Sequence, residues 1–135
     1  KEPPLILDGA HNPAGIQALV KTLEDVLKDE QKKGLAVVFT SMKDKDYQES
    51  LRILKNIRPA LYCCSLPDNV RCASPEALKD SAHRLDWPVL PINTFHDPID
   101  AINEARKKSS ATVVCGSLYL AGYIKARLDD VKDLA

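Results

Sequence analysis

Three short stretches of this sequence collect residue types that handle charge. "LILDGAHNPAG" (5–15) holds Asp8, His11 and Asn12, "SMKDKD" (41–46) sets Lys45 between Asp44 and Asp46, and "CGSLY" (115–119) places Ser117 after Gly116. A carboxylate accepts hydrogen bonds from hydroxyls, an ammonium and a serine hydroxyl both donate to an anion, and a histidine takes or gives a proton near neutral pH. This is equipment for an anionic substrate. Each group also has a plainer role: Asp8 bonding N–H groups of its own turn, and Asn12, Asp44 or Asp46 capping a helix. His11 stands just before a cap, where a core role fits poorly. His83, late in a helix pattern, and His96, just before a cap, read as surface residues, and Trp87 beside Pro88 reads as packing.

The elements that must position these groups alternate along the chain. Strands are expected at Leu5–Leu7, Leu35–Thr40, Ala60–Ser65, Val89–Thr94 and Ala111–Cys115, as apolar runs without alternation, the pattern of a sheet covered on both faces. Apolar residues at helical spacing fill the gaps: Ile16 to Leu27, Tyr47 to Leu54, Leu78 to Leu85, Ile99 to Ala105 and Ala121 to Leu128. Asn12-Pro13, Ser74-Pro75 and Asp97-Pro98 each set an N-cap acceptor before a proline at the first helical position, and Asp46 with Glu49 has capping-box spacing. Successive β-to-α units predict an α/β fold, a doubly wound, mainly parallel five-stranded sheet with helices on both faces, within a single domain spanning 1–135. Leu66 to Ala73 is the longest expected loop. In such a sheet ligands meet the carboxyl ends of the strands, and the three charged stretches all follow expected strands. Helix N-termini there offer free N–H groups and positive potential, which suit phosphates and carboxylates.

Composition narrows the function classes. The 135 residues carry 19 basic and 19 acidic side chains, with no long block of either sign that would suit nucleic acid or a membrane surface. Lys32-Lys33 and Lys107-Lys108 fall where helices should end. The longest apolar runs are far short of the roughly 20 residues of a membrane span, and no stretch after Lys1-Glu2-Pro3-Pro4 has signal-peptide character. Cys63, Cys64, Cys72 and Cys115 form no C-x-x-C pair and mostly sit in strand-like runs, so a reducing, cytoplasmic setting is expected, without disulfide or structural zinc. The phosphate-binding G-x-x-x-x-G-K-[ST] pattern, G-x-G-x-x-G, G-x-S-x-G and H-E-x-x-H are all missing from these residues. Residue types and spacing alone stop at an anion-binding edge on an α/β domain.

A resemblance goes further. "LILDGAHNPAG", "DKDY" (44–47) and "VVCGSLYLAG" (113–122) closely resemble, in order and spacing, segments of the C-terminal domain of folylpolyglutamate and dihydrofolate synthases, members of the Mur ligase superfamily. The resemblance implies the third part of an ATP-dependent amide ligase. An N-terminal ATPase domain outside these residues would supply the phosphate-binding loop and the Mg2+ ligands, so this chain needs no metal site. The partners implied are ATP, L-glutamate, a folate or dihydropteroate, and that ATPase domain, with the enzyme working as a monomer. The resemblance further implies that Asp8 accepts from the nucleotide ribose, that His11 reaches the phosphate or acyl-phosphate region, and that Asn12 adds a donor. Lys45 and Ser117 would hold the α-carboxylate of incoming glutamate, with Asp44 and Asp46 orienting Lys45 and Gly116 in support. A free-standing anion-binding or regulatory module is the alternative from another class, and a peptidoglycan Mur ligase the alternative within the superfamily; "DGAHNP" disfavours the latter.

Overall fold

The structure, a computed structural model, describes residues 3–131. Five strands form one sheet: β1 (Leu5–Leu7), β2 (Leu35–Phe39), β3 (Ala60–Cys64), β4 (Asn93–Phe95) and β5 (Ala111–Cys115). Every pairing is parallel and the strand order is β1-β5-β2-β3-β4. Helices α1 (Pro13–Val26), α2 (Asp29–Lys33), α3 (Tyr47–Lys55), α4 (Pro75–Arg84), α5 (Pro98–Lys108) and α6 (Leu118–Lys125) connect and follow the strands.

The uninterrupted apolar runs are explained by two cores. Leu35, Val37 and Phe39 of β2 point to one face, where they join Ile16 and Leu23 of α1, Leu51 of α3 and Leu78 of α4. Ala36 and Val38 point to the other, against Ile102 of α5 and Leu120 of α6. Strand side chains alternate between faces, so a strand apolar at every position must be covered twice.

Asn12, Ser74 and Asp97 cap α1, α4 and α5, each ahead of a proline, as their sequence predicts. The box expected at Asp46 and Glu49 is only half made. Asp46 accepts from the Glu49 N–H at 3.2 Å, but the Glu49 carboxylate turns to Arg52 one turn on. β2 and β3 each end one residue before the expected Thr40 and Ser65, and three other elements differ more. β4 covers only Asn93–Phe95, because Pro88 and Pro91 lack the N–H that a ladder needs. α2 buries no side chain and so left no apolar period to read. α6 ends at Lys125, with Leu120 and Ile124 as its buried stripe, while Leu128 is exposed in a short 3-10 turn.

Trp87 packs as expected: it is buried, and its indole N–H donates to the Pro59 carbonyl at 2.9 Å. His83 and His96 are both exposed. All four cysteines are free and buried. Burial pushes the Cys63 thiol up to about 12 and those of Cys64 and Cys115 well above the usual range. Ellman's reagent at pH 8 should therefore leave the native thiols intact and titrate all of them after guanidinium unfolding; rapid native reaction would contradict their burial. The linked stability has a definite sign. A thiol whose folded value lies above its unfolded value stabilises the fold fully below about pH 8.5, and that contribution is lost as pH rises through about 12.

Candidate functional site

Strand order assembles the site. β1 and β2 flank β5, so the turns that follow these three strands lie side by side at the carboxyl edge: Leu7 is level with Val114, which is level with Val38. β5 is also where the chain, having run outward through β2, β3 and β4, returns to the middle of the sheet. Such a reversal opens a crevice.

The three turns are tied together by backbone contacts. The Gly116 N–H donates to the Ala10 carbonyl at 2.8 Å, joining the turns after β5 and β1. Gly116 has φ +107°, and a Cβ there would sit 2.0 Å from the Thr40 carbonyl at the end of β2. The Leu118 side chain covers Gly9, 2.6 Å from where a Cβ would be. Glycine is needed at 116 both for its conformation and for this close approach.

Between the turns lies a cleft of about 260 Å3, lined by His11, Lys45, Arg71, Ser117 and Tyr119, with Met42 also in its wall. That is slightly smaller than the roughly 300–1,000 Å3 of sites for drug-sized ligands. A larger, shallower hollow beside it shares Arg71 and Tyr119 and adds Asp68, Val70 and Tyr123. At the opposite edge of the sheet lies a further hollow, with Leu23, Leu27, Leu35 and Ile57 in its wall beside Glu24, Lys32, Asn56 and Arg58.

Local geometry sets what each group can do. His11 Nδ1 lies 3.1 Å from the Gly9 carbonyl, which can only accept, so Nδ1 carries the proton and Nε2 is left for a ligand. The Ser117 oxygen caps α6 by accepting from the N–H groups of Tyr119 and Leu120 at 3.1 and 3.3 Å. Its own O–H remains a donor. Lys45 is exposed and enters no ion pair among the described residues.

Neither Asp44 nor Asp46 forms an ion pair with Lys45. Asp46 is spent on the α3 cap and Asp44 lies 3.9 Å from Arg71, because a free helix end and a second cation compete for these carboxylates. Asp8 is half-buried and accepts from the Ala10 N–H at 2.7 Å, while Asn12 caps α1 through the Gly15 N–H at 2.8 Å. Both stand on the same turn as His11, outside the cleft wall. Among the described residues, no group of three or more His, Cys, Asp or Glu side chains is placed to hold a metal ion.

Arg71 was not anticipated. It belongs to the long loop after β3, and the same rule that singled out the turns after β1, β2 and β5 would have led to it. That loop is drawn to the site by an antiparallel bridge between Met42 and Cys72, with the Lys43 N–H donating to the Arg71 carbonyl at 2.7 Å and the Ala73 N–H to that of Ser41 at 2.9 Å.

The family described as "Mur ligase, glutamate ligase domain" matches residues 1–118. The chain belongs to this family. It is 32% identical to the dihydrofolate synthase/folylpolyglutamate synthase of Bacillus subtilis, over 95% of this chain and 28% of that protein. A folylpolyglutamate synthase from Lacticaseibacillus casei is 27% identical over 93% of the chain and 27% of its own length. Among solved structures, the bifunctional folylpolyglutamate synthase/dihydrofolate synthase of Yersinia pestis superposes with a TM-score of 0.76 at 28% identity, covering 96% of this chain and 29% of that one. Another bifunctional enzyme of this kind, solved with Mn, AMPPNP and L-glutamate bound, superposes with a TM-score of 0.75 at 30% identity over 96% of this chain and 30% of its own. This Mur ligase domain thus spans less than a third of the length of these relatives.

Proposed function

We propose that this Mur ligase domain is the glutamate-binding C-terminal part of an ATP-dependent ligase that joins L-glutamate to a folate or to dihydropteroate. The observation that carries the reading is the cleft at the carboxyl edge, where a cation from the turn after β2, a hydroxyl donor from the turn after β5 and a histidine from the turn after β1 converge. Lys45 and the Ser117 hydroxyl complement the α-carboxylate of an amino acid, with charge-assisted hydrogen bonds from a cation and a helix-capping donor. The relative with bound L-glutamate supports the substrate class.

In the proposed reaction a substrate carboxylate takes the γ-phosphoryl group of ATP, giving an acyl phosphate and ADP. The glutamate amine then attacks the acyl carbon and loses a proton, and phosphate leaves as the amide forms. Charge grows on the carbonyl and phosphate oxygens in both steps, so preorganised donors at this edge act where they are most effective. His11 Nε2 is directed at that region in this reading, and the second carboxylate oxygen of Asp8 receives a ribose hydroxyl. Asn12 contributes beyond its cap only through its amide N–H groups. In this reading ATP and a divalent cation such as Mg2+ are held mainly by the ATPase part of the enzyme.

The test is direct. Full-length protein carrying this domain should extend a folate or dihydropteroate by L-glutamate with stoichiometric release of ADP and phosphate, while the isolated domain should do neither. ADP release without glutamate transfer, or turnover by the isolated chain, would overturn the proposal.

A further inference from the structure

At the edge of the sheet opposite the cleft, α1, α2, the start of β2 and the turn after α3 enclose a hollow of about 210 Å3 that the proposed function leaves unused. Leu23 and Leu27 of α1, Leu35 of β2 and Ile57 after α3 supply its apolar wall. Exposed charged side chains complete the lining: Lys32 from α2 and Arg58 from the turn after α3, against one carboxylate, Glu24. A second hollow, of about 190 Å3, shares Leu35 and Arg58 with the first and adds Lys33 and Lys108. Lys108 is held by Glu104 at 2.8 Å, whereas Lys32, Lys33 and Arg58 enter no ion pair among the described residues. In a chain with equal numbers of acidic and basic residues, this is a local excess of positive charge. Lys32 and Lys33 close α2, where a cation suits the helix dipole, so they have a local reason to be there. Arg58 is different. It sits at φ +52°, a left-handed conformation that ends many helices and that glycine adopts more readily. Its N–H donates to the Lys55 carbonyl at 2.9 Å, a backbone bond that glycine would make equally well. What arginine adds at this position is the guanidinium.

We propose that this hollow binds a small organic anion, a carboxylate on a ring-sized apolar body, with Arg58 gripping the carboxylate while the leucines and Ile57 enclose the ring. Size and charge decide the class. An enclosed apolar cavity of about 150 Å3 accepts benzene, so a hollow of about 210 Å3 admits one ring and its substituent but not a long chain. The planar guanidinium meets a carboxylate through two parallel hydrogen bonds, and Lys32 adds attraction without a fixed direction. Glu24 opposes any anion in the hollow, so the net attraction is modest and depends on Arg58. The site is separate from the cleft. β2 runs between the two edges for five residues, about 16 Å at roughly 3.3 Å per residue, and the hollow and the cleft share no lining residue. A ligand bound here therefore touches none of the groups assigned to the reaction.

Benzoate is the probe, with acetate as the anion that lacks a ring. Titrated into full-length protein carrying this domain and followed by calorimetry, benzoate should bind saturably in the millimolar range or below, and about tenfold or more tightly than acetate. Arg58→Gly suits the left-handed backbone, so the melting temperature should hold while benzoate affinity falls about tenfold or more. Arg58→Lys should recover part of that loss, and Glu24→Gln should tighten benzoate by about twofold to threefold, the effect of one exposed charge. Acetate binding as tightly as benzoate would mean that the hollow holds no ring. Benzoate binding that is absent, or unchanged by Arg58→Gly, would mean that the site is not here. Loss on Arg58→Gly with no recovery in the lysine variant and no gain in Glu24→Gln would mean that Arg58 shapes the hollow without binding charge. Each of these results overturns the assignment.

Discussion

On the proposed function, replacing Lys45 by alanine in the full-length protein should raise the KM for glutamate about tenfold or more, with the KM for ATP and the melting temperature hardly changed. The fold itself makes little use of this side chain: Lys45 is exposed, forms no ion pair with Asp44 or Asp46, and leans on no other described carboxylate. Its removal therefore leaves no orphaned charge behind. What it does have is a place in the wall of the cleft that Ser117 also lines. A hydrogen bond between a cation and a bound carboxylate is worth about 1.5–3 kcal/mol, which corresponds to roughly a tenfold to hundredfold loss of affinity. An exposed ion pair would be worth no more than about 1 kcal/mol. Steady-state kinetics with glutamate and ATP varied separately distinguish the possibilities. A parallel rise in both KM values would point to faulty docking against the proposed ATPase part, and no rise in either would remove Lys45 from the site.

Gly116→Ala should be damaging for a different reason. The residue sits at φ +107°, where an alanine is strained by about 1–3 kcal/mol, and the added Cβ would lie 2.0 Å from the Thr40 carbonyl and 2.8 Å from the Phe39 ring. Backbone must move to admit it. The turn after β5 would then pull away from those after β1 and β2, taking with it the Ser117 hydroxyl and the cap of α6. With each kcal/mol shifting the midpoint by roughly 2–8 °C, the melting temperature of the chain should drop by on the order of 10 °C. Ligation by the full-length protein should fall sharply even at temperatures where the variant is folded. Gly122→Ala is the control: it lies in α6 with open space around its Cβ position, so the substitution should leave stability unchanged or raise it by about 0.5–1 kcal/mol. If calorimetry showed similar small effects at both glycines, the interlocked turns would not be the scaffold of the cleft.

Different parts of the molecule were open to sequence reading for different physical reasons. Elements with a strong local signal were legible: the caps at Asn12, Ser74 and Asp97 are made by hydrogen bonds within three residues, and β2 and β5 are buried along their whole length, so burial is written into every position. Elements stabilised by their surroundings were not. α2 buries nothing, and β4 is limited by which backbone N–H groups can reach a neighbouring strand. The partners of Asp44 and Asp46 were not legible, because adjacency in sequence does not decide which group a carboxylate meets: Asp46 caps α3, and Asp44 stands 3.9 Å from Arg71 on a distant loop.

By itself the sequence determined the α/β class, the turns that bear Asp8, His11, Lys45 and Ser117, and, through three ordered segments, the family. It could do so because strand periodicity, caps and short motifs are properties of neighbouring residues. Only the tertiary structure decided that β5 enters between β1 and β2, which brings those turns to one edge, and that the loop after β3 folds back to deliver Arg71. Strand order and loop docking arise from contacts between residues far apart in the chain, as between Val38 and Val114 or Met42 and Cys72, and no local pattern encodes them.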